Sequence, residues 1–274
     1  MLSDPKQSPD LGTPIATPPS PDIEMSEDCL FLDIYVPASA LQAGSRKLPV
    51  VVWFYGGAYA FGSKLNFGPN ITEFYSGQGL IEQNPMIFVT GNYRLGAFGW
   101  LAGSYMEDKE VGLPNAGLHD QRLLLQWVQD WIEQVGGNKS AVSAWGESAG
   151  AGSIMHHLIQ KGGKQDPLFT KAMLQSPAFQ WQWDRTSTLD KVYQTFSNLS
   201  GCGFTKNMSC LQAASIEKLV QANHDLFLDV KNTGLFPVGS SVDGIWIENL
   251  PAVAFFQREF FQKQQNLKAQ FDLS

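Results

Sequence analysis

The chain has 274 residues, of which 43% are hydrophobic and 16% charged, with a formal net charge of −7. That is enough apolar material for a sizeable core in one large domain or two small ones. The acidic balance and the lack of a basic run argue against a nucleic-acid partner, and no apolar stretch approaches membrane-spanning length, so no transmembrane segment is expected.

In chain order, the first residues, Met1 to Pro5, show neither the basic nor the apolar region of a secretory leader. Pro5, Pro9, Pro14, Pro18, Pro19 and Pro21 follow among polar residues and preclude a regular element. Residues 1–24 are therefore expected to form a Pro-rich extended arm, and residues 25–274 the folded domain. Leu30 to Val36 alternates as a strand with Asp33 on a face near solvent. Pro49 to Phe54 is a continuous apolar run, expected as a strand buried on both faces, and Met86 to Thr90 is expected as another buried parallel strand. Leu124, Trp127, Val128, Trp131, Ile132 and Val135 recur at three- and four-residue steps, the buried face of a helix ended by Gly136-Gly137. Ser140 to Trp145 is expected as a strand, Ala149 to Ile159 as a helix, and Ala172 to Gln175 as a strand stopped by Pro177. The last stretch, Ala252 to Phe271, is expected to be helical, with Phe255, Phe256, Phe260 and Phe261 as candidates for its core face. Strand–helix alternation in this order predicts an α/β fold, a mostly parallel sheet with helices on its faces.

Two loops carry the chemistry. Gly146-Glu147-Ser148-Ala149-Gly150 is a G-x-S-x-G pattern between an expected strand and an expected helix. In that setting a serine sits on a tight turn with its hydroxyl exposed, and the amide after it points where an oxyanion forms. The alternative is a Gly-rich β–α turn without chemistry. Tyr55-Gly56-Gly57-Ala58-Tyr59 follows the buried strand that ends at Phe54. Small residues there bring bare amides to a site, as in the HGGG-type loop of serine hydrolases, with Tyr55 in place of His and Ala58 in place of the last Gly. No H-E-x-x-H pattern and no Cys/His cluster occurs, so neither a metal nor another cofactor is expected. Cys202 and Cys210 stand eight apart in a loop-like stretch and are spaced to close a small ring, which leaves Cys29 odd. Asn70, Asn138, Asn198 and Asn207 each open an N-x-[ST] sequon.

Taken together these segments resemble the type-B carboxylesterase/lipase family of α/β-hydrolases, fungal members in particular. The resemblance rests on Glu27 to Pro37, on Val52 to Ala58 with Gly62-Ser63, and on Asn92-Tyr93-Arg94-Leu95-Gly96. Asn115 to Leu118 with Asp120-Gln121-Arg122, the Gly146 to Gly150 loop and Val242-Asp243-Gly244 complete it. It implies a serine ester hydrolase acting on a small-molecule ester or lipid, with Ser148 as nucleophile and the amides of Gly57, Ala58 and Ala149 as oxyanion hole. It also implies a Cys202–Cys210 disulfide and an extracellular glycoprotein, in tension with the missing leader. Glu147 is implied as an active-site neighbour; the competing reading is a structural hydrogen-bond acceptor. Members acting on choline esters carry a Trp where this chain has Pro19, which disfavours that specificity.

In this family the order is Ser, then acid, then His. The four histidines here are His119, His156, His157 and His224, and none follows a plausible acid downstream of Ser148. His156 and His157 are expected to point away from the serine along the same helix, and Asp243 is expected to be a turn residue. The reading is therefore an incomplete domain, truncated at both ends and lacking the acid and His of the triad, slow as an enzyme on its own. The alternative is a catalytically dead hydrolase-like fragment acting as a binding or adhesion-type domain.

Overall fold

A computed structural model describes residues 26–65, 74–106, 112–178, 185–204, 208–228 and 236–262. The arm expected over residues 1–24 lies outside them. Five strands, β1 (Leu32–Tyr35), β2 (Leu48–Phe54), β3 (Ile87–Gly91), β4 (Gly137–Glu147) and β5 (Lys171–Gln175), form one sheet in the order β1-β3-β2-β4-β5. β2 pairs in parallel with β3 and β4, and β4 with β5; only β1 runs antiparallel, on β3. The central position of β2 and β3 accounts for their unbroken apolar sequences. Val50, Val51, Val52 and Phe54 are buried, and so is every residue of β3, because helices or neighbouring strands cover both faces there.

Eight α-helices surround the sheet among the described residues: α1 (Gln78–Gln83), α2 (Gly96–Trp100), α3 (Ala116–Trp131), α4 (Ala149–Gly163), α5 (Asp190–Leu199), α6 (Met208–Ala213), α7 (Ile216–Leu226) and α8 (Pro251–Phe256). α3 and α4 lay Leu124, Leu125, Val128 and Ile154 on the face formed by Val50, Val52, Phe54, Ile87, Val89, Val142 and Ala144. On the opposite face the approach to α1 closes on Phe88, where a β-carbon at Gly77 would meet that ring at 2.5 Å. A second apolar cluster gathers Tyr55, Tyr59, Tyr93 and Trp100 with Tyr193, Phe196, Leu226, Trp246 and Ile247, from loops and helices outside the sheet.

Three expectations are corrected. The helix expected over Ala252 to Phe271 runs only over Pro251–Phe256; Arg258 takes a left-handed φ of 62°, which a continuing helix does not allow, and residues 263–274 lie outside the description. Phe256 is 89% exposed and forms no core face, whereas Phe255 and Phe260 pack on each other and on the second cluster. Trp131 is also outside the core, 49% exposed. The backbone leaves α geometry there for a 3₁₀ turn over Ile132–Val135, which rotates Trp131 off the helical face and Ile132 into it. The first strand is also shorter than expected, with Leu30 and Phe31 exposed ahead of it.

Candidate active site

Ser148 stands between β4 and α4 with φ 52° and ψ −120°, a strained conformation for a residue with a β-carbon. Its amide donates to Gln175 O at 2.9 Å and its carbonyl accepts from Gly152 N and Ala178 N, each at 2.9 Å. The backbone is thus held on both sides, and the residue is half-buried. The flanking glycines are needed for close approach. A β-carbon at Gly150 would lie 2.1 Å from Phe54 O, and one at Gly146 would lie 2.7 Å from Gly150 C. The first turn of α4 therefore crosses the end of β2 at backbone contact distance, which throws the strand-to-helix turn outward.

The loop after β2 runs beside this turn. A β-carbon at Gly56 would stand 2.6 Å from Glu147 Oε2 and 3.0 Å from Ser148 Cβ. Gly57, Ala58 and Tyr59 follow with φ of 109°, 52° and 63°. The Gly57 carbonyl takes the amides of Ala60 and Phe61 at 2.9 and 3.0 Å, so the turn closes on itself on its carbonyl side. Ala149, fully buried, opens α4, and the first amides of a helix have no acceptor within it. Gly56, just ahead of Gly57 and Ala58, is thus where this loop meets Ser148, and Ala149 follows Ser148 directly in the chain. Glu147 is the last residue of β4, and desolvation raises its carboxyl above the usual range. A carboxylate in that setting holds its proton more readily than one in water.

The segments singled out in the sequence turn out to brace this loop. Tyr55, in the place of the expected His, points inward and stacks on Tyr93 with ring centres 4.4 Å apart. The Tyr93 hydroxyl donates to Tyr55 O at 2.6 Å, and the Tyr55 hydroxyl donates to Tyr93 O at 3.2 Å. Arg94 grips Asp120 with two guanidinium bonds of 2.8 Å, and its amide donates to the same carboxylate at 3.0 Å. Asn92 donates to Cys29 O and accepts from Lys64 N.

Downstream, Asp243 Oδ1 accepts the amides of Ile245, Trp246 and Ile247 at 2.8–2.9 Å, so Asp243 is a turn residue, as its surroundings in the sequence suggested. Asn115, in a left-handed conformation at φ 56°, clamps that turn. Its Nδ2 donates to Ser241 O at 2.9 Å and to Asp243 Oδ2 at 2.7 Å, and its Oδ1 accepts from Ser241 N at 2.9 Å.

All four histidines are described, and each meets a partner other than Ser148. His156 Nε2 meets Ser240 Oγ at 2.8 Å and His157 Nε2 meets Gln121 Oε1 at 3.1 Å, both fully buried. Burial pushes both imidazoles down to about 3. His119 packs edge-on against Trp246 and is lowered, again by desolvation. His224 sits on α7 beside Asp225. Cys202 and Cys210 form a disulfide, and Cys29 is a free thiol. Asn198 is exposed at the end of α5, while the side chain of Asn138 accepts from Ser140 N at 3.0 Å. Asn70 and Asn207 fall outside the described residues.

Sequence reasoning missed Tyr59 and the buried polar contacts under α4. Tyr59 bonds Ala178, 119 residues away, a pairing without a local signal.

The carboxylesterase family profile matches residues 3–269. A secreted lipase of Arthroderma benhamiae is 42% identical over 245 residues, which is 88% of this chain and 46% of that protein. Lipase 1 of Geotrichum candidum is 37% identical over 230 residues, 78% of this chain and 38% of that protein. The crystal structure of Aspergillus niger EstA superposes with a TM-score of 0.71 at 32% identity, covering 86% of this chain and 44% of that one. The chain thus spans less than half the length of the relatives it matches, and its sheet and helices are those of the α/β-hydrolase fold.

Proposed function

The chain belongs to the carboxylesterase family, and from that premise we propose that it hydrolyses carboxylic esters by serine acyl transfer. The single observation that carries the reading is the backbone of Ser148, strained at a strand-to-helix turn. The hydroxyl oxygen attacks the ester carbonyl while a base takes its proton. The tetrahedral oxyanion is stabilised by the amides of Gly57, Ala58 and Ala149. Its collapse expels the alcohol, which regains the proton, and water repeats the sequence on the acyl-enzyme. Glu147 lies at the edge of this site and sets its local charge. His156 and His157 are buried on other partners, His224 pairs with Asp225, and His119 packs on Trp246, so none of the four is placed at Ser148 as the base in this reading. In our reading the base and its acid come from outside these 274 residues. The substrate class is a small ester or lipid. In this reading, too, residues 25–274 form the domain behind an N-terminal arm, and no nucleic acid or cofactor takes part.

A disulfide and a secreted relative support an extracellular setting, in which Asn198, the more exposed of the two described sequon asparagines, is open to carry a glycan. Among the described residues no helix is long and apolar enough to cross a membrane.

The test is labelling by an activated alkyl phosphonate with peptide mapping, beside hydrolysis of p-nitrophenyl butyrate. Label is expected on Ser148 and absent from Ser148→Ala. The 274 residues alone should show only the roughly 10³–10⁴-fold acceleration over water that an oxyanion hole and binding retain without a triad. Equal labelling of Ser148→Ala, or full turnover that survives that change, overturns the reading.

A further inference from the structure

We propose that Tyr59 is a positioning residue: its hydroxyl, bound to the Ala178 carbonyl, holds the Gly57 and Ala58 amides in register with Ser148. The proposal rests on the serine acyl-transfer reading and adds to it a residue that neither the G-x-S-x-G pattern nor the small-residue loop points to.

The turn from Gly57 to Phe61 has reason to need an anchor. Ala58 and Tyr59 are consecutive residues with β-carbons in left-handed conformations, φ 52° and 63°. Such backbone persists only where its surroundings over-determine it. Three contacts of Tyr59 do so. Its carbonyl accepts from Gly96 N at 2.8 Å. Its ring packs on Trp100 with centres 4.5 Å apart. Its hydroxyl donates to Ala178 O at 3.1 Å.

The third contact reaches the nucleophile. Ala178 N donates to Ser148 O at 2.9 Å. Both polar atoms of one peptide residue are thereby engaged, the amide by Ser148 and the carbonyl by the loop that carries the candidate oxyanion donors. The path from Tyr59 to the backbone of Ser148 is two hydrogen bonds long. The Gly96 and Trp100 contacts lead instead to the 93–100 segment, so the Ala178 bond is the tie that fixes the loop against the serine.

The fold is built closely around this bond. A β-carbon on Gly152 would stand 2.1 Å from Ala178 O and 2.8 Å from the Tyr59 hydroxyl. Helix α4 therefore closes on the bond with only a hydrogen between. Tyr59 is 1% exposed, and burial raises its phenol far above the ordinary value, so the hydroxyl remains a donor at any working pH. The Ser153 and Ser240 hydroxyls face the same oxygen. Ser153 accepts from Gln121 Nε2 at 3.1 Å and donates to Ala149 O at 2.9 Å, and Ser240 meets His156. The phenol is thus rooted in the buried polar layer beneath the first turn of α4.

The experiment compares wild type, Tyr59→Phe, Thr170→Val and Ser148→Ala in the 274-residue chain. Amide hydrogen exchange is read over residues 55–61 and over β2 and β3. Phosphonylation of Ser148 is followed by mass at about pH 9, where hydroxide substitutes for a base. Tyr59→Phe keeps the ring on Trp100 and removes only the hydroxyl. It is expected to speed exchange over residues 55–61, to leave β3 unchanged, and to slow Ser148 phosphonylation about tenfold, since a misplacement of about 1 Å costs on the order of 10²-fold. Thr170→Val, which removes a hydroxyl bond to Val142 O away from Tyr59 and Ala178, should stay within about twofold of wild type in both readouts.

Exchange and labelling both at the wild-type rate in Tyr59→Phe overturn the proposal. Faster exchange throughout the sheet overturns it as well, because the hydroxyl would then serve general stability. Slower labelling without local change in exchange shows that the loop is held by something else, and overturns it too. If wild-type Ser148 labels no faster than the bystander serines of Ser148→Ala, the acyl-transfer reading fails, and local exchange alone decides whether Tyr59 ties the loop.

Discussion

Replacing Asn115 by aspartate isolates the clamp that fixes the 238–247 segment. The side chain is isosteric and aspartate tolerates the left-handed backbone at φ 56°, so shape and strain are preserved. Two donated bonds are lost, to Ser241 O and to the Asp243 carboxylate. The first is worth about 1 kcal/mol and the second, to a charged acceptor, about 2 kcal/mol. Asn115 is fully buried, so the new carboxylate faces that of Asp243 without water between them. Like charge raises the introduced group's pKa above its unfolded value of about 3.9, at about 1.4 kcal/mol per unit. The folded variant then binds more protons than the unfolded chain, and its extra penalty grows as pH rises through that window. The total is about 1 kcal/mol near pH 4, where the protonated carboxyl still donates to Asp243, and about 5 kcal/mol at pH 8. For a chain of this length that lowers the thermal midpoint at pH 8 by about 10–20 °C. Circular dichroism melts of wild type and Asn115→Asp at both pH values give the two differences. A loss below about 1 kcal/mol at pH 8, or one equal at both pH values, would refute the assignment of this residue as a buried donor clamp.

The remaining expectations concern the core. His156 and His157 are held near 3, against an ordinary 6.5. Below about pH 6.5 the unfolded chain takes up protons that the fold refuses, so stability is full above that pH and falls as pH drops, by up to about 1.4 kcal/mol per unit for each residue. Melts between pH 7 and pH 5 should show this decline, and His156→Gln should reduce it by about half; a flat wild-type profile would contradict the burial of both rings. Cys202→Ser opens a ring with a sequence separation of 8 and should cost about 2–3 kcal/mol. Thiol titration of the denatured, unreduced wild type should find one free thiol, at Cys29.

What the sequence determined by itself was set by local geometry. A buried parallel strand needs an unbroken apolar run, as Leu48–Phe54 and Ile87–Gly91 have. A strand-to-helix turn crossing another backbone needs glycine at 146 and 150. The order of motifs also carried the family. Where a local rule spoke alone it erred. Phe255, Phe256 and Phe260 form one apolar pattern, yet Phe255 and Phe256 are successive residues of one short helix, so with Phe255 turned to the core Phe256 is left in solvent. Trp131 fits the helical spacing but lies past the point where the helix tightens.

Only the tertiary structure decided which polar groups meet. Nothing near Asn115 in the sequence points to Asp243, 128 residues on, and nothing near Tyr59 points to Ala178. The reason is that a buried hydrogen bond needs its two ends in one place, not at one spacing. The sheet order brings β4 beside β2 and the exit of β5 behind Ser148, and that packing pairs residues whose identities alone permit many partners.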